Sequence, residues 1–508
     1  MSRISITSVA LLLSLGASLS VAERPNIIVI LTDDMGYSDM GCFGGEIETP
    51  NLDSLAADGL RFTEFYNCAR CWPTRSALLS GCYIEWLKTP KHVTIPQILK
   101  TAGYDTAMSG KWHAGGKAEG PAGPNSPAQR GFDDFYGTLS GAGSHFDPHT
   151  LTRNTEEIVA DEGFYYTDQI GTEAVRQIEG FAKTDRPFFQ YVAFTTPHWP
   201  MHAPEETIQN YVIRYGNGWV HLRDERYARM LEMGVIDRKR FPLPPMEPGV
   251  PAWEDVEHKP WRVRQMAIYA AMVDHMDQAV GRMVKALKRT GQFKNTLIVY
   301  FHDNGACAEI PHAGAASYIQ GKAKLRGETV AVGNDFSAKM GGPLTFSAVG
   351  PNWANAQNTP MRRYKKNVHN GGALTPAIMH WPAGLKAKAG SISTQRGHVI
   401  DMMATCLELA GVDYPTKLNS HAIAPHNSLS LVPVLEGETV NRDHAYFFRH
   451  AGTSAVVKGD YKIVREGKQD WELYNLSENR TETEDIAAQH PELVQEMSVL
   501  WDAHWRKK

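Results

Sequence analysis

Four stretches of the chain are rich in apolar residues, and those at 26–31 and 297–301 are continuous apolar runs, the pattern of strands buried on both faces of a sheet. They cover residues 26–31, 104–108, 188–194 and 297–301, and each ends in polar residues. Strands of antiparallel sheets more often alternate apolar and polar positions, because one face meets water. The four runs therefore predict strands of a mostly parallel sheet.

Helical patterns separate these runs. They cover residues 50–60, 172–181 and 266–287, and the last has one apolar stripe formed by Tyr269, Val273, Val280, Met283, Val284 and Leu287. Such a stripe buries one face of a helix. Strands that alternate with helices predict an α/β fold, in which helices cover both faces of the sheet.

Polar side chains gather where the predicted strands end. In chain order they are Asp33, Asp34, Lys111, His113, His198, Asp303 and Asn304. Taken singly, the aspartates could form turns or helix caps, and the histidines could be held by local hydrogen bonds. Because open α/β sheets bind ligands beyond the carboxyl ends of their strands, one shared site is predicted there. Its carboxylate and amide oxygens favour Ca²⁺ or Mg²⁺ over Zn²⁺.

The stretch CARCWPTRSALLSG, residues 68–81, has candidate chemistry of its own. Pro73 suits the first position of a helix and Gly81 suits its end, so Cys71 would lie at a helix N-terminus with Arg75 one turn further. Free N–H groups favour an anion there. This predicts a nucleophile beside a sulfate or phosphate ester. The alternatives are a redox pair with Cys68, half of a zinc site, or a buried structural thiol.

The length, the net charge and the first residues of the chain limit which partners and which cellular location are expected. The chain has 508 residues and a formal charge of −4, which is too small to indicate nucleic acid or an anionic membrane as a partner. Residues 1–22 have a basic start, a short apolar core and a small-x-small end, so they predict a secretory signal peptide. The mature protein is expected to begin near Glu23, to have no membrane span, and to be periplasmic or secreted.

The motifs together resemble the sulfatase family of the alkaline phosphatase superfamily. Residues 71–75, CWPTR, match its Cys-x-Pro-x-Arg signature, and NIIVILTDDMGYSD, SGKWHAG, TTPHWPMHAP, HDNG and NGGALTPAIMHWPAG follow the family's order. The resemblance implies a large, mixed, mostly parallel sheet sandwiched by helices, with a small C-terminal antiparallel sheet-plus-helix subdomain. The implied boundaries are 23–435 for the catalytic domain and 436–508 for the subdomain.

The resemblance also implies a mechanism. A maturation enzyme would oxidise Cys71 to Cα-formylglycine, whose hydrate attacks sulfur; the alcohol leaves, and sulfate is then eliminated. One Ca²⁺ would be bound by Asp33, Asp34, Cys71, Asp303 and Asn304. The remaining implied roles are hydrate binding by Arg75 and His113, sulfate binding by Lys111 and Lys365, proton donation to the leaving oxygen by His198, and deprotonation of the attacking hydroxyl by Asp303.

The sequence departs from the family pattern at two places. The segment after Gly81 is short, and the family's Glu-Gly-Gly is Asn370-Gly371-Gly372 here. Lys365 is identified by its spacing to that glycine pair, and the adjacent Lys366 is the alternative ligand. These changes bear on substrate preference more than on chemistry.

The expected substrates are aryl sulfates in vitro and a sulfated small molecule or carbohydrate in nature. Trp72, Trp112, Trp199, His145 and His149 could line a sugar pocket or simply pack. Two other functions are compatible with the motifs: a formylglycine-dependent phosphonate or phosphodiester hydrolase, and a catalytically inactive carbohydrate-binding relative. Intact Cys71 and Arg75 argue against the inactive relative.

Overall fold

The computed structural model describes residues 24–116, 120–312, 327–418, 420–440 and 444–506. The signal peptide predicted at residues 1–22 lies outside the described residues. Among the helices that are described, none is long and apolar enough to cross a bilayer.

Strands occur along the whole described chain, and many are only two residues long. Their bounds are Asn26–Thr32 (β1), Leu60–Tyr66 (β2), Asp105–Lys111 (β3), Asp134–Thr138 (β4), Leu151–Arg153 (β5), Glu156–Glu157 (β6), Phe188–Ala193 (β7), Thr296–His302 (β8), Ala331–Val332 (β9), Thr345–Phe346 (β10), Leu374–His380 (β11), Ile392–Ser393 (β12), Gly397–His398 (β13), Lys417–Leu418 (β14), His421–Ala422 (β15), Tyr446–His450 (β16), Thr453–Lys458 (β17), Tyr461–Glu466 (β18) and Glu472–Asn475 (β19).

The helices include one of eight turns and several of one or two. Their bounds are Pro50–Ala57 (α1), Cys71–Ser80 (α2), Ile95–Thr101 (α3), Tyr166–Phe181 (α4), Glu205–Tyr211 (α5), Gly218–Glu232 (α6), Lys259–Arg289 (α7), Gly350–Gln357 (α8), Asn370–Ala373 (α9), Asp401–Ala410 (α10), Val432–Leu435 (α11) and Pro491–Arg506 (α12).

A large mixed sheet forms the centre of the fold. Its described strands follow the order β12-β2-β11-β8-β1-β7-β3-β4-β5-β6, and β13 also pairs with β2. The central run β8-β1-β7-β3-β4 is parallel, whereas β11 runs antiparallel to both β2 and β8. The carboxyl ends of the parallel strands therefore meet at one edge of the sheet, as the polar strand ends predict.

Helices cover both faces of this sheet. Along β1, Ile28 and Ile30 pack into a core cluster that contains residues of α4 and α7. Ile27, Val29 and Leu31 point the other way, into a cluster with residues of α2, α3 and α10. The continuous apolar run of β1 is thus explained by burial on both sides, and the predicted α/β fold class is confirmed.

Some predicted bounds are wrong at their ends. The helix predicted at 50–60 stops at Ala57, because the Asp58-Gly59 turn leads directly into β2. The strand predicted at 104–108 continues to Lys111, which is therefore the last residue of β3. Helix α2 begins at Cys71, two residues before the predicted start at Pro73. Pro73 still lies in the first turn, where no backbone donor is needed.

The predicted C-terminal subdomain contains a second sheet. Strands β16-β17-β18-β19 form an antiparallel meander, and α12 packs against β17 and β18. A buried polar contact joins this sheet to the main domain: Lys462 Nζ lies 2.6 Å from Glu482 Oε1 and donates to Asn370 Oδ1 at 2.8 Å. The small antiparallel sheet with a helix is confirmed, while the boundary at residue 435 stays a prediction.

Candidate active site

The carboxyl ends of β1 and β8 bring four oxygen-bearing side chains together. Asp33 and Asp34 follow β1, and Asp303 and Asn304 follow β8, whose His302 is in register with Thr32. The backbone N–H of Asp34 donates to Asp303 Oδ1 at 3.4 Å, and Asn304 Nδ2 donates to Asp34 Oδ1 at 2.7 Å. All four are buried. Parallel pairing of two sequence-distant strands is thus what creates the cluster.

The first turn of α2 lies against the same cluster. Arg75 Nη2 is 2.8 Å from Asp303 Oδ2 and 3.4 Å from Asp33 Oδ2, while Arg75 Nη1 donates to the Lys111 carbonyl at 3.0 Å. Cys71 opens this helix and is buried. Burial raises the pKa of its thiol, and the charges of Lys111 and Lys365 partly offset that effect. The thiol thus lies in the electric field of these two lysines.

Thr74 is a residue of this turn that sequence reasoning missed. Its hydroxyl donates to the Asp303 carbonyl at 2.6 Å and accepts from the Cys68 N–H at 2.9 Å. It therefore ties the start of α2 to the end of β8. Its position inside the Cys-x-Pro-x-Arg match was the one available signal.

The structure distinguishes between the two adjacent lysines. Lys365 Nζ lies 2.6 Å from Asp34 Oδ1, and its side chain is fully buried. Lys366 turns away and pairs with Glu309 instead. Lys111 contacts Asp33 from the end of β3. Lys365 rather than Lys366 therefore belongs to the buried cluster.

His198 and His113 complete the set. His198 Nε2 is 3.5 Å from Asp34 Oδ2, and its Nδ1 donates to the Trp199 carbonyl at 2.6 Å. Burial lowers the pKa of His198 to about 4, although the charge of Asp34 acts against the shift. The ring of His113 packs against Trp72 and Trp86, with centroid distances of 5.6 and 5.7 Å. Burial, with the charges of Lys111 and Arg75, lowers the pKa of His113 well below its usual value.

His145 has a supporting position rather than one in the cluster. Its Nε2–H donates to the His198 carbonyl at 3.2 Å, which fixes the loop after β7. Trp112, another residue considered for a sugar pocket, is buried and donates to the Asn125 carbonyl at 2.9 Å, so it packs.

The cluster balances three carboxylates against three cations. Asp33, Asp34 and Asp303 face Arg75, Lys111 and Lys365. Burial and the neighbouring carboxylate of Asp33 raise the pKa of Asp303 to about 7. Burial would also raise the pKa of Asp33, but the charges of Lys111, His198 and Arg75 lower it well below its usual range.

The residues present fit a hard divalent cation. Asp33 Oδ1 and Asn304 Oδ1 are buried, and neither has a hydrogen-bond partner among the described residues. Ligand atoms of Asp33, Asp34 and His198 lie within 4.8 Å of one another. Oxygen atoms left unpaired in a buried site need a donor or a cation, and carboxylate and amide oxygens are the ligands that Ca²⁺ takes.

Known proteins resemble this chain over most of its length. Residues 25–412 match the family model described as Sulfatase. An uncharacterized sulfatase of Schizosaccharomyces pombe is 31% identical, over 94% of this chain and 93% of the relative. An arylsulfatase of Klebsiella aerogenes is 32% identical, over 84% of this chain and 95% of the relative.

The fold is also found among solved structures. The crystal structure of Ps i-CgsB in complex with k-i-k-neocarrahexaose superposes with a TM-score of 0.65 and 24% identity, covering 93% of this chain and 91% of that one. The family model spans more than half of the chain, and both sequence relatives exceed 30% identity. The resemblance drawn from the motifs is therefore confirmed: the chain belongs to the sulfatase family and is a sulfuric ester hydrolase.

Proposed function

We propose that this protein hydrolyses sulfate esters of carbohydrates outside the cytosol, through Cα-formylglycine made from Cys71 by a maturation enzyme and with a bound Ca²⁺. The observation that carries the proposal is the burial of Cys71 at the start of α2 among Arg75, Lys111 and Lys365, in a cluster where two oxygens have no hydrogen-bond partner among the described residues. Three cations around one nucleophile position suit an anionic ester.

Each group has a role that follows from its position. Asp33, Asp34, Asp303 and Asn304 would hold the ion, which would supply charge to polarise a sulfate oxygen. The formylglycine hydrate would supply the attacking hydroxyl. Lys111 and Lys365 would bind sulfate oxygens and orient the sulfur toward residue 71. Arg75 is held by Asp303 and by the Lys111 carbonyl, so it offers a fixed guanidinium at the same place.

Two side chains are suited to proton transfer. Asp303 lies beside Arg75 in the first part of α2, so its carboxylate is placed to accept the proton of the attacking hydroxyl. His198 keeps Nδ1 on the Trp199 carbonyl, so Nε2 is the nitrogen that faces the site and can donate to the leaving oxygen. Burial lowers the pKa of His198, and a bound sulfate ester would raise it again because a nearby negative charge favours the imidazolium.

The carbohydrate part of the proposal has separate support. The structurally similar Ps i-CgsB is described with k-i-k-neocarrahexaose bound. The sequence of residues 1–22 supports export, because it has the three regions of a signal peptide.

The test is to produce the protein with and without a formylglycine-generating enzyme and to analyse the peptide that contains Cys71 by mass spectrometry. We expect an aldehyde in place of the thiol, and turnover of nitrophenyl sulfate and of defined sulfated sugars in proportion to the converted fraction. Cys71→Ala should abolish turnover and keep the far-ultraviolet circular dichroism spectrum.

Cys68→Ala is the matched control, because a redox pair would need both cysteines whereas formylglycine needs only Cys71. Full activity in protein whose Cys71 is entirely thiol contradicts the proposal. Hydrolysis of phosphodiesters or phosphonates at a higher kcat/KM than sulfate esters would favour the rival hydrolase.

A further inference from the structure

A second group of charges lies directly outside the buried cluster. Arg70 precedes Cys71 in the chain, and Lys366 follows Lys365. The side chains of Lys365 and Cys71 are buried, whereas Lys366 is 44% exposed and Arg70 is 15% exposed. Each inner residue thus has an outer cation as its chain neighbour. Arg70, Lys366 and the inner Lys365 all contact the same carboxylate, Glu309, so the outer cations lie close to the inner site.

Strained backbone holds the two outer cations side by side. Lys366 has a φ of 81° and Ala69 has a φ of 57°, both in the left-handed region that non-glycine residues avoid. The Lys366 N–H donates to the Ala69 carbonyl at 2.8 Å, and the Thr453 hydroxyl donates to the Lys366 carbonyl at 3.2 Å. Such conformations are energetically unfavourable for residues other than glycine and concentrate at functional sites. At this turn the side chain of Lys365 is buried, whereas that of Lys366 is exposed.

One carboxylate contacts all of these cations. Glu309 Oε2 lies 2.8 Å from Arg70 Nη1 and 3.6 Å from Lys365 Nζ, and Glu309 Oε1 contacts Lys366. Burial would raise the pKa of Glu309, but Lys365 and Arg70 lower it well below its usual range. Lys365 is already paired with Asp34, so among the residues that the structure describes one carboxylate, Glu309, is shared between Arg70 and Lys366. A positive charge therefore remains at the rim.

We propose that Arg70 and Lys366 form an outer anion subsite, which binds a second anionic group of a substrate whose reacting sulfate lies in the inner cluster. Glu309 occupies this subsite when substrate is absent. The inference rests on the proposed function and narrows its substrate class to polyanionic carbohydrate sulfates. The second anion is either another sulfate or a uronate carboxylate, since both accept charge-assisted hydrogen bonds from Arg and Lys.

The test compares kcat/KM on three substrates: a monosulfated methyl glycoside, the same glycoside with a second sulfate, and a monosulfated disaccharide that contains a uronate. Lys366→Ala and Arg70→Ala should each lower the ratio of the two-anion to the one-anion kcat/KM by about tenfold, mainly through KM, because a charged hydrogen bond is lost. Lys366→Arg should restore most of the ratio. Glu309→Gln should raise it, because the competing carboxylate is removed.

Lys458→Ala is the matched control. Lys458 is 41% exposed and pairs with Glu496 at 2.6 Å. It is the last residue of β17, whereas Thr453 is the first. Its removal should leave the ratio at the wild-type value. Circular dichroism of each variant checks that it is folded.

The outcomes separate the subsite from the proposed function. If Lys366→Ala and Arg70→Ala reduce turnover equally on all three substrates, Glu309 and its cations only hold Lys365, and the subsite is overturned. A wild-type ratio of about one also overturns the subsite, while the sulfatase activity stands. If fully converted wild-type protein hydrolyses none of the three, the proposed function fails and the subsite with it. Preference for the disulfate or for the uronate substrate identifies the second anion.

Discussion

Replacing His198 by alanine should slow the hydrolysis of sugar sulfates far more than that of nitrophenyl sulfate. A sugar alkoxide is a poor leaving group and needs a proton as the sulfur–oxygen bond breaks, whereas a nitrophenolate leaves unaided. His198 Nε2 faces the cluster because Nδ1–H is committed to the Trp199 carbonyl at 2.6 Å. The selective loss follows if this nitrogen delivers the proton.

The size of the loss follows from the position of the ring. A positioned general acid contributes about 10²–10⁴-fold, which corresponds to roughly 3–5 kcal/mol of the activation barrier. His198 is buried and is held from two sides, by Trp199 through the ring and by His145 through the backbone carbonyl. We therefore expect a loss of about 10²–10⁴-fold on a sugar sulfate and less than about tenfold on nitrophenyl sulfate.

The assay measures kcat/KM for both substrates in three variants. Lys111→Met removes a charge proposed to bind sulfate itself, so it should reduce both rates alike, by about 10- to 100-fold for a charged hydrogen bond. His202→Gln is a matched control for losing a buried histidine nearby. His202 Nε2–H donates to the Thr345 carbonyl at 2.9 Å, away from the carboxylates.

Equal losses on the two substrates for His198→Ala would refute the reasoning. The ring would then orient sulfate or pack, and another group would have to supply the proton. If His202→Gln also slows the sugar sulfate more than nitrophenyl sulfate, and by as large a ratio as His198→Ala does, the difference between the substrates comes from loop disorder and not from a lost proton donor.

Three further predictions test the ion, the joint between the domains and the start of α2. Exhaustive chelation should abolish turnover and lower Tm, and added Ca²⁺ should restore both better than Zn²⁺. Asn304→Leu should weaken the rise in Tm that Ca²⁺ produces. Unchanged activity after chelation, with metal removal verified by elemental analysis, would exclude a role for the ion. Lys462→Met should cost about 3–5 kcal/mol of unfolding free energy, because the Glu482 carboxylate stays buried without its cationic partner. The exposed pair of Lys458 should cost at most about 1 kcal/mol in the same urea titration, and equal costs would contradict the reasoning. Thr74→Val should cost about 1–3 kcal/mol and reduce kcat, since the Asp303 carbonyl loses its buried donor; a fully active, equally stable variant would show that this bond is dispensable.

The central parallel strands could be predicted from sequence because both of their faces are buried. The pattern is weaker in β2, which contains Arg61, Thr63 and Glu64 although most of the strand is buried. Glu64 is tolerated there because it pairs with Arg240, Arg396 and Arg480, which come from distant parts of the chain. A local pattern cannot show partners that only tertiary structure supplies.

The same limit applies to the site. Residues at strand ends and in the α2 turn were identified because a short motif contains them. The Arg70–Glu309 contact joins positions 239 apart, and no spacing rule indicates it. Lys365 and Lys366 are the same residue type, and their distances in sequence from the Gly371-Gly372 pair differ by one position. The structure distinguishes them by the positive φ of Lys366 and the burial of Lys365 against Asp34.

Asn370 stands where the family pattern has glutamate, and the sequence suggested that this change bears on substrate preference. The structure gives a different physical explanation. Asn370 is buried, accepts from Lys462 and donates through Nδ2 to the Arg480 carbonyl at 2.8 Å. A carboxylate at this position could not donate, so the amide is matched to the C-terminal sheet.

The glycine that follows Asn370 connects this joint to the candidate active site. A Cβ at Gly305 would lie 1.8 Å from the Gly371 carbonyl oxygen, so the chain after Asn304 approaches this backbone closely. The Gly305 N–H also donates to the Gly372 carbonyl at 3.1 Å. The loop that carries Asp303 and Asn304 therefore rests on the glycine pair, and the glycine pair is attached through Asn370 to the small sheet. The C-terminal sheet thus supports, through Asn370 and the glycine pair, the loop that carries Asp303 and Asn304.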